Sequence, residues 1–186
     1  MLKPFYHAGY VKTNPENLFL DMLLKEVSWL DLTEARKECF MSDQPVTYRY
    51  GSGRSTDRVY TAVPFHPAVL GMMKELNSKR IFNFNACFLN RYDTQKNHLC
   101  WHADDSPEMD MDHPIAVISF GAEREIWWKE KDFKGPIPPE NRQLLESGSL
   151  FIMPAGFQKD HLHKIPKADR EVGIRVSLTF RHYLSV

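Results

Sequence analysis

Residues 174–184 read IRVSLTFRHYL, and this stretch decides the fold. Apolar and polar side chains alternate along it, as in a β-strand with two unlike faces. Val176, Leu178 and Phe180 fall on one face; Arg175, Ser177, Thr179 and Arg181 fall on the other. Working outward, residues 81–92, IFNFNACFLNRY, alternate in the same way, with Phe82, Phe84, Ala86, Phe88 and Asn90 sharing a face. PIAVISFG (114–121) and EIWWKE (125–130) are further strands, parted by Gly121 and Ala122, and SLFIMPA (149–155) follows Gly148. A Pro-rich loop occupies 135–139.

The N-terminal part reads differently. Asn14 and Pro15 have the character of an N-cap and first helical residue, with Leu18, Phe19, Met22, Leu23 and Val27 at helical spacing behind them. Pro64 and His66 introduce a second helix carrying Val69, Leu70, Met72, Met73 and Leu76, which ends near Asn77 and Ser78. Two helices followed by many short strands predict an α+β chain. Its core is a β-sandwich or jelly roll, with the helices packed on one side.

At 186 residues the chain is long enough for one domain with a substantial core and short for two. The expected division is helical support and a substrate lid over 1–80 and the strand core over 81–186. Twenty-four Lys and Arg balance 24 Asp and Glu, so any nucleic-acid contact must come from a local patch rather than from net charge. Three cysteines, Cys39, Cys87 and Cys100, lack any framework spacing and read as free thiols of a reducing compartment. No stretch approaches the roughly 20 apolar residues of a membrane span, and the start lacks a signal-peptide pattern. The expectation is a cytoplasmic protein, or a nuclear one in a eukaryote, that is not secreted and is monomeric by default.

Chemistry concentrates in two places. HLCWHADDSPE (98–108) places His102 and Asp104 two apart, where an extended segment presents both to one point. DHLHKIPK (160–167) offers His161 or His163 as a third ligand. Two imidazoles and one carboxylate on one face leave open positions on an octahedral iron, although zinc accepts the same donors. Arg175 and Arg181 share one face of their strand. An inward Arg in an apolar strand needs an anionic partner, and a dicarboxylate matches guanidinium in a bidentate pair. An internal salt bridge is the alternative.

LNRY (89–92), WHADD (101–105), ISFGAEREI (118–126), HKIPK (163–167) and RVSLTFR (175–181), in this order, resemble the AlkB family of oxidative nucleobase dealkylases. The likeness covers roughly residues 80–182. It implies a double-stranded β-helix and a dioxygenase using Fe(II), 2-oxoglutarate and O2. The metal would be held by His102, Asp104 and His163, with His161 left to a supporting role or the substrate pocket. The co-substrate would be met by Asn90, Tyr92 and Thr179, and its distal carboxylate by Arg175. Arg181 would lie near the other carboxylate or orient the metal's ligands. The implied substrate is alkylated DNA or RNA, single-stranded or with its base flipped out. The same chemistry on a protein, lipid or small molecule is the alternative, and a non-catalytic binding domain a more distant one.

Two positions depart from the family pattern. Ser106 stands where an acidic base reader is usual, with Asp105 beside it, and Ser177 replaces an Asn between the arginines. Candidate substrate contacts lie in TYRYGSGRSTDRVYTA (47–62). Tyr48, Tyr50, Arg54 and Tyr60 there form either a stacking lid for single-stranded nucleic acid or a hairpin with its tyrosines packed inward. Trp101, Trp127 and Trp128 are expected in the core or on a sheet face, and Arg124 within reach of a phosphate.

Overall fold

The computed structural model describes residues 2–12, 17–50, 58–79 and 81–184. Strand β1 (Phe5–His7) is followed by helix α1 (Leu18–Glu26), β2 (Leu30–Thr33) and β3 (Arg36–Ser42). Next come β4 (Thr47–Tyr50), β5 (Arg58–Thr61) and helix α2 (Pro67–Ser78). The C-terminal half runs β6 (Ala86–Tyr92), β7 (Leu99–His102), β8 (Ile115–Gly121), β9 (Arg124–Glu130), β10 (Arg142–Leu145) and β11 (Leu150–Met153). It ends with the one-turn helix α3 (Phe157–Asp160), β12 (His161–Ile165) and β13 (Arg175–Arg181).

The strands form a seven-stranded sheet, β1-β11-β8-β13-β6-β3-β2, a four-stranded sheet, β10-β9-β12-β7, and a separate hairpin, β4-β5. All these pairings are antiparallel. The two larger sheets enclose a shared core. Phe88, Val117, Phe151 and Met153 of one meet Leu99, Ile126, Leu145 and Ile165 of the other. This is the two-sheet antiparallel arrangement of a jelly roll.

Central strand β13 is buried along its whole length. Its alternation therefore sorts two cores rather than core from solvent. Val176, Leu178 and Phe180 join an outer cluster that also contains Leu20 and Leu23 of α1 and Val69, Met73 and Leu76 of α2. Arg175, Ser177, Thr179 and Arg181 face the space between the sheets, where they line a cavity.

Several expectations change. Asn14 and Pro15 lie outside the described residues, and α1 starts at Leu18 behind Asn17, which adopts a left-handed conformation (φ 47°) with no side-chain cap. Helix α2 begins as expected, with the His66 ring accepting from the Ala68 amide. Phe82 and Phe84 are not on the face of Ala86 and Phe88. The strand begins only at Ala86, because Asn77 bonds both backbone groups of Phe84, and Phe84 packs into the outer cluster. A division at residue 80 does not separate helices from sheet: β1, β2 and β3 all belong to the seven-stranded sheet. Strand β3 escaped the alternation reading because Arg36 and Glu38 point inward on it and neutralise each other, while β1 and β2 are short and mostly exposed.

Gly121 closes the β8–β9 turn at φ +86°, and a Cβ there would lie 2.3 Å from the Ile174 carbonyl oxygen. Only glycine allows β13 to enter so close to this turn. Among the described residues no helix is long and apolar enough to cross a membrane.

Candidate metal centre and co-substrate pocket

His102 ends β7, and His163 is its direct neighbour in β12. The register slips between this pair and the next, so that two residues, Cys100 and Trp101, stand opposite Lys164 alone. Such a bulge lets Leu99 and His102, three apart, both point into the sandwich. Asp104 follows just beyond the strand, with its amide donating to Gln158 Oε1 of α3 at 3.0 Å.

The candidate ligand atoms of His102, Asp104 and His163 lie within 4.8 Å of one another. His102 Nε2 is 3.7 Å from Asp104 Oδ1, and His163 Nε2 is 3.9 Å from Asp104 Oδ2. His102 Nδ1 is occupied by the Cys100 carbonyl at 2.9 Å, which leaves Nε2 for a metal. Asp104 is 1% exposed and shares Oδ1 with Arg181 at 2.7 Å, while Oδ2 is buried without a hydrogen-bond partner. A buried carboxylate oxygen left unpaired beside two imidazole nitrogens fits a divalent cation.

The electrostatics agree. Burial lowers the affinity of both imidazoles for a proton, that of His163 to a pKa of about 3, so both lone pairs are available near neutrality. Burial would raise the Asp104 carboxyl, but Arg181 and the two imidazoles hold it below the usual carboxylate range.

Beside this cluster a cavity is lined by Asn90, Tyr92, Arg175, Ser177, Thr179 and Arg181, with Val117, Ile126, Leu145 and Met153 as its apolar walls. Glu38, Asn90, Ser177 and Ser119 form one continuous polar rung across β3, β6, β13 and β8. Arg175 is 1% exposed and has no carboxylate in reach among the described residues. One terminal nitrogen donates to Ser119 Oγ at 2.9 Å and the Tyr92 hydroxyl interacts with the guanidinium, while Nε and the other terminal nitrogen make no well-aligned hydrogen bond. Its guanidinium lies 5.1 Å from the Tyr92 ring centre. A cation buried this deeply with two donors open has the chemistry to receive an anion.

Of the two places considered for Arg181, the structure shows it on the Asp104 carboxylate. His161 stands apart from the cluster. Its ring stacks on Phe157 at 4.4 Å, and it borders a separate surface cavity with Lys131 and Lys159. Ser106 is buried with its hydroxyl unpaired, and Asp105 is exposed, 3.4 Å from Lys131. Tyr48 and Tyr60 take the inward reading: both are buried, stacked on each other at 5.9 Å and packed on Phe88. The Tyr50 side chain and Arg54 lie outside the described residues. Arg124 does not reach outward for a phosphate. It is 3% exposed and donates to the carbonyls of Asn97 and Pro166, tying two loops together.

Sequence reading missed four residues that shape this site: Gln158, Ser119, Arg36 and Glu38. Ser119 left a trace, as a polar residue amid IAVISFG. Gln158, in FQKD, left none, because only the fold brings it against Asp104.

Comparison with known proteins agrees with this geometry. The chain is 29% identical over 187 residues to alpha-ketoglutarate-dependent dioxygenase alkB homolog 3 of Homo sapiens, a match covering 94% of this chain and 64% of the relative. It is 30% identical to DNA oxidative demethylase ALKBH2 of Arabidopsis thaliana, covering 88% of this chain and 60% of that protein. The chain thus spans a little under two thirds of the length of these relatives. A solved structure, that of OsALKBH1, superposes with a TM-score of 0.66 at 15% identity, covering 96% of this chain and 97% of the other, and shares the fold. The sequence pattern of the 2OG-Fe(II) oxygenase superfamily matches residues 2–181, and the chain belongs to that superfamily.

Proposed function

We propose that this chain is an iron(II)- and 2-oxoglutarate-dependent dioxygenase that removes N-alkyl groups from nucleobases of DNA or RNA. The observation that carries the chemistry is the pairing of the His102–Asp104–His163 cluster with the open donors of buried Arg175 in one cavity. The names of the alkB homolog 3 and ALKBH2 relatives support a nucleobase substrate.

In this reading His102, Asp104 and His163 hold the iron, and Arg181 fixes the Asp104 carboxylate. Arg175 binds the distal carboxylate of 2-oxoglutarate, with Asn90, Tyr92 and Thr179 around it. When bound, the iron would activate O2, which is the oxidant: one of its oxygen atoms converts 2-oxoglutarate to succinate and carbon dioxide, and the other hydroxylates the N-alkyl carbon, which leaves as an aldehyde. The protein keeps the ligand face fixed and excludes water through its apolar walls. A base must be flipped out or already single-stranded to reach this buried centre. We read residues 1–186 as one domain. Helices α1 and α2 brace the outer face of the large sheet, and the β4–β5 hairpin borders the substrate side.

A second reading, the same chemistry on a protein, lipid or small molecule, rests on Ser106, which offers no charge to a cationic base. Succinate release with iron(II), ascorbate and 2-oxoglutarate separates the two. Stimulation by methylated but not unmethylated oligonucleotides is expected. Turnover indifferent to nucleic acid would favour the second reading, and turnover equal to that of His102→Ala would end both.

A further inference from the structure

The polar rung that passes through Asn90 and Ser177 continues into Glu38 of β3, whose side chain has no exposure. A carboxylate removed from water must be neutralised by close partners. Arg36 approaches Oε1 at 2.5 Å, and Arg58 donates to Oε2 at 2.9 Å. The Tyr60 hydroxyl donates to the same Oε2 at 2.5 Å. These partners come from two places. Arg58 and Tyr60 belong to β5 of the hairpin, whereas Arg36 belongs to the large sheet and donates through Nε to Asn90 Oδ1 at 2.7 Å.

The hairpin is a two-stranded sheet of its own. Apolar packing of Tyr48 and Tyr60 on Phe40 and Phe88 holds it against the large sheet, and a backbone bridge joins Val63 to Met41 just beyond it. Packing is tolerant of small shifts; charge-assisted hydrogen bonds are directional. Glu38 therefore sets where the hairpin sits. The Tyr48 ring lies 5.3 Å from the guanidinium of Arg181, the residue that holds Asp104. One carboxylate thus connects the hairpin, whose Tyr48 meets Arg181, with Asn90 in the cavity wall.

We propose that Glu38 is a positioning residue for the oxidation: it fixes the posture of the β4–β5 hairpin at the substrate side and, through Arg36, braces Asn90 beside the co-substrate. This rests on the proposed function for its kinetic consequence, but not for its structural one. The alternative is a buried ion pair that contributes to stability alone.

The test uses Glu38→Gln in the whole 186-residue chain, which keeps the shape and removes the charge. Amide exchange of Thr47–Tyr50 and Arg58–Thr61 is expected to rise about tenfold while that of Arg175–Arg181 stays at the wild-type level. The KM for a methylated single strand is expected to rise about tenfold and that for 2-oxoglutarate several-fold, the latter also visible in uncoupled turnover without nucleic acid. A purely stabilising role would loosen the whole sheet and leave both KM values unchanged, and that result would overturn the proposal. Should Glu38→Gln not fold, Tyr60→Phe removes one hydrogen bond and should give the same pattern at smaller size; unchanged hairpin exchange there would also overturn it. Altered exchange and 2-oxoglutarate KM in a protein indifferent to methylated nucleic acid would uphold Glu38 and defeat the nucleobase reading. Methylated-strand turnover with unaltered hairpin exchange would do the reverse.

Discussion

Arg181 donates to Asp104 Oδ1 at 2.7 Å from the far end of β13, 77 residues away in the chain. The contact occupies one carboxylate oxygen and leaves the other, Oδ2, turned to the His163 imidazole. The guanidinium also spans the rings of Tyr48 and Phe88, at 5.3 and 5.4 Å, so its orientation is set by packing as well as by charge. A metal held by these ligands would therefore depend on a residue that is not itself a ligand.

Arg181→Met should weaken metal binding by about 10- to 100-fold, the range typical of lost support to a ligand. It should also destabilise the metal-free protein by about 3–5 kcal/mol, since Asp104 would remain buried without its cation. A manganese(II) titration and a thermal melt read the two effects separately. Wild-type metal affinity in the variant would remove Arg181 from the centre.

Arg175→Met should raise the KM for 2-oxoglutarate at least about 30-fold, because a buried charged partner of a carboxylate contributes about 2–5 kcal/mol. Ser119→Ala, which removes one hydrogen bond to that guanidinium, should cost only about fivefold. Succinate formation across a 2-oxoglutarate series measures both. Equal effects would mean that Ser119, not the co-substrate, is the main partner of Arg175.

Gln158→Leu leaves the Asp104 amide without its buried acceptor, a loss of about 1–3 kcal/mol. Part of that loss should appear as a several-fold weaker metal affinity, since the amide carries the ligand's own backbone. A lower melting temperature with unchanged metal affinity would assign Gln158 to stability alone.

Gly121→Ala should destabilise the fold by more than about 2 kcal/mol, combining a left-handed φ with a Cβ driven into the Ile174 carbonyl. Urea denaturation checks this. A change below about 0.5 kcal/mol, as at an ordinary surface site, would show that the β8–β9 turn can move away from β13.

The parts legible in sequence were those whose signal is local. IRVSLTFR alternates because both its faces are specified, and it forms the strand that its alternation predicted, β13, at the centre of the sheet. The helix at 67–78 was legible from Pro64, His66 and its apolar spacing. Residues 36–42 were not, because buried Arg36 and Glu38 give a strand the composition of a surface loop. Tyr48 and Tyr60 were equally ambiguous, since a tyrosine beside an arginine reads alike whether it stacks on a base or on another ring.

By itself the sequence determined which chemistry is possible: a histidine and an aspartate two apart, a choice of His161 or His163 to complete a metal site, and two arginines committed to one strand face. Those properties reside in side-chain type and in a two-residue period, and both survive without tertiary contacts. Only the tertiary structure decided which groups meet. It brought His163 opposite His102 through a bulge, gave Arg181 to Asp104 and left Arg175 open, and joined Glu38 to a hairpin 20 residues further on. Burial is what makes these pairings selective. Inside the sandwich an unpaired charge is costly, so each ionic group is held to the partner that the strand register places beside it.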